Sequence, residues 1–574
     1  MPNPAFLYFS EFLRQLSLCA LAFCLALSGI ARAEEGVDFK EESIRNFFSN
    51  VERYTPSAPT QLQATPQKES WRENPPDEDG ACFDVVEVQI QILPGKFSDL
   101  SAGKLIPDGF RYPRELCIGE KRLFWYLQQL QQRLIELGFI EASTTVPEQE
   151  LSDGRLTFQV KLKPIGSIEW FDGGKNQILP PSGIEDNSDQ ALNIRSIEQK
   201  IELVEKIPGH QLNAQISDMP GSDETRVVYE WNKGPVFTGA VFADDSGDDT
   251  FGRYQTGMQL SCGSCFTDLD ILSLFVQQAN GGKVNHDNHQ DAWNILYQIP
   301  FNELQLSLEI SRFKNKQQIE GFLQFYEYKS INDRFSLGLS KSIARNRSSQ
   351  TQLSAFITQV ESSNFIDEQE VEVQHRRTSS WLVRVAQRQV ISNSLSINAS
   401  IEHERGVGFL NSLAAPEQFF DEGTSRFQVQ RLRASLRYIF EKFDIPFSWG
   451  TQLFIQSNQT PLAPQQRLLL GGRNDVRGYQ TASLQGDRGG YVRNELGFPT
   501  PIPKVGVYVG MDIGFVGGKS ASHLETKTLA GAAIGLRAVL GSAYFDSFIS
   551  MPLSYPKDIP ISSAVAGFSV TYLF

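Results

Sequence analysis

Gly471-Gly472-Arg473-Asn474-Asp475-Val476-Arg477-Gly478-Tyr479 lies late in the chain, between two regions that read as strands. Two glycines open it and a third separates Arg477 from Tyr479. Glycine permits backbone angles and close approaches that other residues forbid. If such a loop folds inward, its arginine requires an acidic partner. The candidate is Asp512, in the apolar, strand-like run Gly510-Met511-Asp512-Ile513-Gly514. The alternative is a surface turn with a solvated arginine. The loop alone does not decide between them, so the pattern around it must.

From about residue 235 to Phe574 the apolar period is two. Leu304, Leu306, Leu308 and Ile310 alternate with Gln305, Ser307, Glu309 and Ser311. Leu395, Ile397, Ala399 and Ile401 alternate with Ser396, Asn398 and Ser400. Phe335, Leu337 and Leu339 repeat the pattern, as do Phe447, Trp449, Thr451, Leu453 and Ile455. Phe568, Val570, Tyr572 and Phe574 end the chain with it. After Ala33 there is no apolar run of about 18 residues, so no helical membrane span is expected. A chain that crosses lipid without one must do so as a closed β-barrel, because lipid cannot satisfy an open sheet edge. A soluble sandwich also alternates, but it does not account for such polar second faces over so long a stretch. At roughly 20 residues per strand and turn, the stretch predicts an all-β transmembrane barrel of about 16 antiparallel strands.

The 574 residues exceed one ordinary domain. A net charge of -14 and a pI near 5.1 exclude a nucleic-acid footprint. Forty Phe and 11% aromatic residues, at a mean hydropathy of -0.27, suit a barrel with aromatic girdles and a polar interior. Residues 1–33 read as a signal peptide: Arg14, an apolar run from Leu16 to Leu27, then Ala31-Arg32-Ala33 as cleavage site. A membrane anchor is the alternative, and the run is short for it. In residues 34–54, Ile44, Phe47, Phe48 and Val51 fall at i, i+3, i+4 and i+7, an amphipathic helix. Residues 55–80, with Pro56, Pro59, Pro66, Pro75 and Pro76, read as an extended linker.

Residues 81–163 read as one α/β module. Val86, Val88, Ile90 and Ile92 alternate as a half-buried strand. Leu123, Leu127, Leu130, Leu134 and Leu137 form a helical stripe that Gly138 is placed to stop. Leu156, Phe158, Val160 and Leu162 alternate again. Residues 164–234 repeat this order less clearly, with Asn193 as N-cap of a helix whose apolar face is Ile194, Ile197, Ile201 and Val204. Four cysteines follow the signal: Cys82, Cys117, Cys262 and Cys265. Export to an oxidising compartment permits disulfides. Of the three possible pairings, Cys82–Cys117 with Cys262–Cys265 keeps each bond within one region. Free thiols remain the alternative at Cys262 and Cys265.

Val-Arg-Gly-Tyr at 476–479 followed by Gly-x-Asp-x-Gly at 510–514 resembles the signature of outer-membrane transporters that combine periplasmic POTRA domains with a β-barrel. Further matches are Cys82-Phe83, Cys117, Gly138-Phe139-Ile140, Pro147-Glu148-Gln149-Glu150-Leu151, Gly154-Arg155-Leu156 and Leu192-Asn193-Ile194-Arg195-Ser196-Ile197-Glu198-Gln199. Their order is similar to that of the two-partner-secretion (TpsB) transporters of haemolysin and filamentous haemagglutinin. The resemblance implies POTRA modules at 81–163 and 164–234, and a barrel at 235–574 whose loop around 465–490 folds inward. In that loop Arg477, with Gly478 and Tyr479, meets Asp512 on the inner wall. It further implies a plug role for the helix at 34–54 and a barrel-end signal at Phe574. The implied location is the outer membrane with the modules in the periplasm. Implied partners are a secreted TpsA-type exoprotein, outer-membrane lipid and the barrel-assembly machinery, and the implied state is a monomer. An insertase that assembles other barrels is the alternative, although such proteins usually carry more modules. A diffusion porin needs neither the arginine loop nor paired modules.

No phosphate loop, nucleophile elbow or zinc-protease motif is present, so neither enzymatic activity nor a cofactor is expected. Asp244-Asp245-Ser246-Gly247-Asp248-Asp249 lacks the spacing of a calcium loop and reads as a turn beside the first barrel strand. His286, Asp287, His289 and Asp291 read as a solvated loop, and no metal site is expected.

Overall fold

The computed structural model describes residues 76–77, 80–93, 116–151, 154–173, 176–184, 190–247, 251–281, 287–301, 304–320, 324–346, 348–479, 484–554 and 562–574. The signal peptide, the helix bearing Ile44, Phe47, Phe48 and Val51, most of the linker, and His286 lie outside these residues.

Sixteen long strands, from Phe237–Asp244 to Val565–Leu573, each pair antiparallel with the next, and the first pairs with the last to close a barrel. A two-residue strand, Gln369–Glu370, extends the hairpin between Ser349–Ile366 and Arg376–Ser392. The period of two sets the faces. Leu306, Ile310, Phe335, Leu337, Leu339 and Ile357 are exposed outward, while Ser336, Ser354 and Thr358 are buried toward the lumen. Closure satisfies every interior ladder within the protein, which lipid demands. The strand Phe325–Arg345 has 21 residues, about twice what a bilayer crossing needs. The surplus carries cross-strand ion pairs such as Arg312–Asp333 and Lys316–Glu327. Among the described residues no helix is long and apolar enough to cross a membrane.

Before the barrel stand two small α/β modules. In the first, Glu87–Leu93 pairs parallel with Arg155–Lys161, which pairs antiparallel with Ser143–Thr145. A separate pair, Phe83–Val85 with Leu116–Ile118, carries Cys82 and Cys117, which are disulfide-bonded. The alternation expected from Val86 onward therefore begins at Glu87. Val86 is 71% exposed between two strands, because Val86 and Glu87 both donate their amides to the Gly154 carbonyl. Helix α1 (Glu120–Glu136) buries Tyr126, Leu130 and Leu134 against Leu156, Phe158 and Val160. It ends on Gly138, whose φ of 98° suits glycine. There Phe139 N–H bonds the Leu134 carbonyl and Gly138 N–H the Ile135 carbonyl, at 2.8 and 3.0 Å.

The second module orders its strands Asn176–Ile178, Ile165–Asp172, Thr225–Asn232, Gln211–Asp218. Helix α2 (Ile194–Glu205) packs Ile197, Ile201 and Val204 on Trp170, Tyr229 and Trp231. Asn193 caps it, accepting from Arg195 N–H at 2.9 Å. The same side chain donates to the Leu137 carbonyl at the end of α1, at 3.1 Å. One residue thus starts one helix, ends the other and joins the modules.

The second module also sits on the short-turn rim of the barrel. Leu269 and Ile271 belong to its buried cluster. Glu202 pairs with Arg345 and accepts from Gln350. Lys206 donates to Gln305 at 3.2 Å, and Asp268 accepts from Ser182 N–H and hydroxyl. Cys262 and Cys265 are disulfide-bonded in this rim turn.

Candidate functional site: the loop inside the barrel

The connection between strands Ile445–Asn458 and Arg488–Pro499 is long, and it turns inward. Its ends form a small hairpin, Leu468–Leu470 with Leu484–Gly486. Leu468, Leu470, Val476, Tyr479 and Leu484 are buried together with Val516 and Leu529 of the wall. Apolar side chains on both loop and wall drive this docking, and they leave Arg477 1% exposed.

The strand Val505–Gly517 supplies its partner. Met511 and Ile513 are exposed outward, so Gly510, Asp512 and Gly514 face the lumen. Asp512 is fully buried. Arg477 Nε donates to Asp512 Oδ2 at 2.6 Å and Nη2 to Oδ1 at 2.8 Å, a two-pronged pairing. The Arg477 backbone N–H adds a bond to Oδ2 at 3.1 Å. Nη2 also reaches the Asn494 carbonyl, and Nη1 reaches Glu495 at 3.3 Å.

Glycines make the approach possible. A Cβ on Gly510 would overlap the Arg477 guanidinium, and one on Gly514 would lie 2.7 Å from Leu470. Gly531 is the cross-strand partner of Asp512, and a Cβ there would overlap the Arg477 carbonyl oxygen. Gly478 has φ 99°, and a Cβ on it would lie 2.6 Å from the Met551 backbone. Tyr479 beyond it bonds the Ala530 carbonyl at 2.8 Å and the Ser554 carbonyl at 2.6 Å.

Around the pair lies a ring of compensating charge. Glu495 joins Arg477 to Arg537, and Arg537 reaches Asp546 at 3.0 Å. Tyr508 donates to Asp546 at 2.9 Å beneath the Arg537 guanidinium. Arg493 donates to the Arg473 carbonyl at 2.5 Å, and Asp475 accepts from Gly471 N–H at 3.1 Å. Each buried charge has opposite charge and hydrogen bonds around it, which burial requires.

The four residues Arg477, Gly478, Tyr479 and Asp512 therefore converge at one place on the inner wall. Phe574 stands apart at the seam, where its N–H and carbonyl pair with Gly239 at 3.0 and 2.9 Å. Sequence reasoning missed Glu495, Arg493, Arg537, Asp546, Gly531 and Ser554. The charged ones had a signal: Arg537 and Asp546 are lone ionised residues at inward positions of otherwise apolar strands, and Arg493 and Glu495 share the inward face of theirs. Among the described residues no group of three or more His, Cys, Asp or Glu is arranged to hold a metal. His289 instead bonds the Asp287 carbonyl and lies 3.8 Å from Asp291.

Residues 223–538 match the family of haemolysin secretion/activation proteins ShlB/FhaC/HecB. The outer membrane transporter CdiB-2 of Burkholderia pseudomallei (strain 1026b) is 25% identical over 513 residues, covering 86% of each chain. The hemolysin transporter protein HpmB of Proteus mirabilis is 22% identical over 460 residues, 75% of each. The solved structure of CdiB from Acinetobacter baumannii shares the fold, with a TM-score of 0.78 at 24% identity over 93% of this chain and 97% of that one. With a matching region that spans more than half its length, this chain belongs to the ShlB/FhaC/HecB family, the TpsB transporters of two-partner secretion, and is an outer-membrane β-barrel with periplasmic POTRA modules.

Proposed function

We propose that the two modules capture a secreted TpsA-type exoprotein in extended form and feed it into the lumen beside the Arg477 loop. The observation that carries this is a sheet edge. Among the described residues, strand Gln211–Asp218 pairs on one side only, with Thr225–Asn232, in the module seated on the barrel rim. An incoming strand added there takes affinity from main-chain bonds and specificity from alternate side-chain pockets. No covalent bond is made or broken. Arg477 and Asp512 act as the lock that keeps the loop on the wall, and the segment 34–54 acts as a removable plug. The chain works as a monomer, placed in outer-membrane lipid by the barrel-assembly machinery.

Binding has to be weak enough to release, about micromolar or roughly -8 kcal/mol. Calorimetry of the fragment 82–234 with the unfolded N-terminal region of the exoprotein is expected to show it. A fragment that does not bind, together with selective secretion by a transporter lacking it, overturns the reading.

A further inference from the structure

The inner wall of this barrel has two unlike halves. On the six strands from Gln255–Gly263 to Ser349–Ile366, most inward positions carry hydroxyls and carboxamides, with Phe275, Leu296, Phe313 and Phe356 among them. Ser261 bonds Ser273 at 3.0 Å, Ser336 bonds Thr358 at 3.0 Å and Ser340 bonds Ser354 at 2.9 Å, each across neighbouring strands. Among the described residues, the alternation leaves Glu309 and Arg334 as the charged side chains facing inward along this half, with Arg345 beyond the bulge at the rim, where it is paired with Glu202.

The next strands differ. Arg384 and Arg433 share Glu402, at 2.8 and 2.5 Å, and Arg431 pairs with Glu404 at 2.6 Å. Beyond them the Arg477–Asp512–Glu495–Arg537 cluster and the docked loop cover the wall.

We propose that the exoprotein crosses the barrel along the neutral half, as an extended chain against the hydroxyl and carboxamide surface. The inference rests on the transport reading above and names the path within it. A secreted chain presents every side-chain type in turn. A fixed charge in a confined, weakly screened lumen holds opposite charges and repels like ones, so each passing Asp or Lys meets a trap or a barrier. Hydroxyls and carboxamides both donate and accept. They exchange bonds with a sliding backbone at a net value of only about 0.5–1.5 kcal/mol each. The charged half is committed to its own ion pairs and to holding the loop, and it keeps its side chains away from the path.

The test uses the full-length transporter with its exoprotein, the latter ending in a disulfide-locked domain that cannot enter the barrel. A photo-reactive amino acid replaces one serine at a time, Ser336 or Ser354 on the neutral half and Ser400 or Ser435 on the charged half. Ser400 and Ser435 lie opposite Arg433 and Asn398 in the register, so they share the inward face there. Cross-links to the exoprotein are expected several-fold stronger from Ser336 and Ser354. Equal yields, or stronger ones from Ser400 and Ser435, overturn the assigned path and leave transport through the barrel standing. Cross-links only to the transporter's own segment 34–54 overturn it likewise. Secretion without a cross-link from any of the four overturns both the path and the transport reading.

Discussion

Arg477 is the largest buried charge of the loop, and its value lies in what remains when it goes. Arg477→Ala leaves Asp512 buried and unpaired, and Asp512→Ala does the reverse; either change costs about 3–5 kcal/mol. Both variants are expected to insert as barrels and to secrete poorly, read as exoprotein in the medium against heat-modifiable barrel in the membrane. Normal secretion by both removes the loop from the mechanism. Gly531→Ala separates this from simple loss of charge. Alanine is tolerated in a strand, yet its Cβ would occupy the place of the Arg477 carbonyl oxygen. The variant keeps every charge, and the loop is expected to leave the wall all the same, seen as new protease cleavage between residues 471 and 487. The Arg477–Asp512 pair was legible in the sequence because both residues sit in glycine-framed motifs. Gly531 was not, because its role depends on which residue of the neighbouring strand it faces, and alternation does not supply register.

Elements were legible wherever one face is buried and one is wet. The stripe from Leu123 to Leu134 and the cap at Asn193 could be placed from spacing and side-chain chemistry alone. The contact of the second module with the barrel rim could not, since Glu202 and Arg345 stand 143 residues apart. The joint has a measurable consequence at Lys206, which lies there beside Gln305. Burial pushes its ammonium from 10.5 down to about 8. Between these two values the undocked chain holds a proton that the docked one lacks. Docking should therefore strengthen as pH rises from about 8 toward 10.5, and be weakest below 8. Lys206→Met removes the cost of the buried charge. It is expected to raise the first calorimetric transition of the full chain at pH 7 and to flatten its rise above pH 8. A wild-type transition that falls with pH across that window contradicts the assignment. Deleting residues 35–54 tests the proposed plug in the same preparation, with a higher single-channel conductance expected and a folded barrel retained; unchanged conductance rules the plug out.

At the scale of the whole molecule, closing the barrel is the step that period-two alternation cannot specify, because it needs the first and last strands to meet. Here they meet over Ala240–Asp244 and Ser569–Leu573, the shortest ladder between two of the sixteen long strands of the barrel. Side chains lengthen it at the far end. Asp245 accepts from Phe568 N–H at 2.7 Å, and Arg253 bridges Asp245 and the Ala566 carbonyl at 3.0 and 2.7 Å. Arg473, from the loop that carries Arg477, donates to the Phe568 carbonyl at 2.9 Å and lies 3.5 Å from Asp245. The loop that docks on the inner wall thus also ties the seam. Because Asp245 is 6% exposed, losing it takes the acidic partner from two guanidinium groups, which keep only their carbonyl bonds, and the acceptor from an amide at once. Asp245→Ala is expected to lower the temperature at which the barrel unfolds in a gel-shift assay, and Arg473→Ala to lower it less. Arg312→Ala, which breaks a half-exposed pair on the outer surface, is the comparison, since such pairs contribute only about 0–1 kcal/mol. If all three shift alike, the seam is held by its backbone ladder alone. If Asp245→Ala stands out, a loop released from Asp512 also loosens the closure of the barrel, and the two events should appear together in Arg477→Ala as a lowered unfolding temperature.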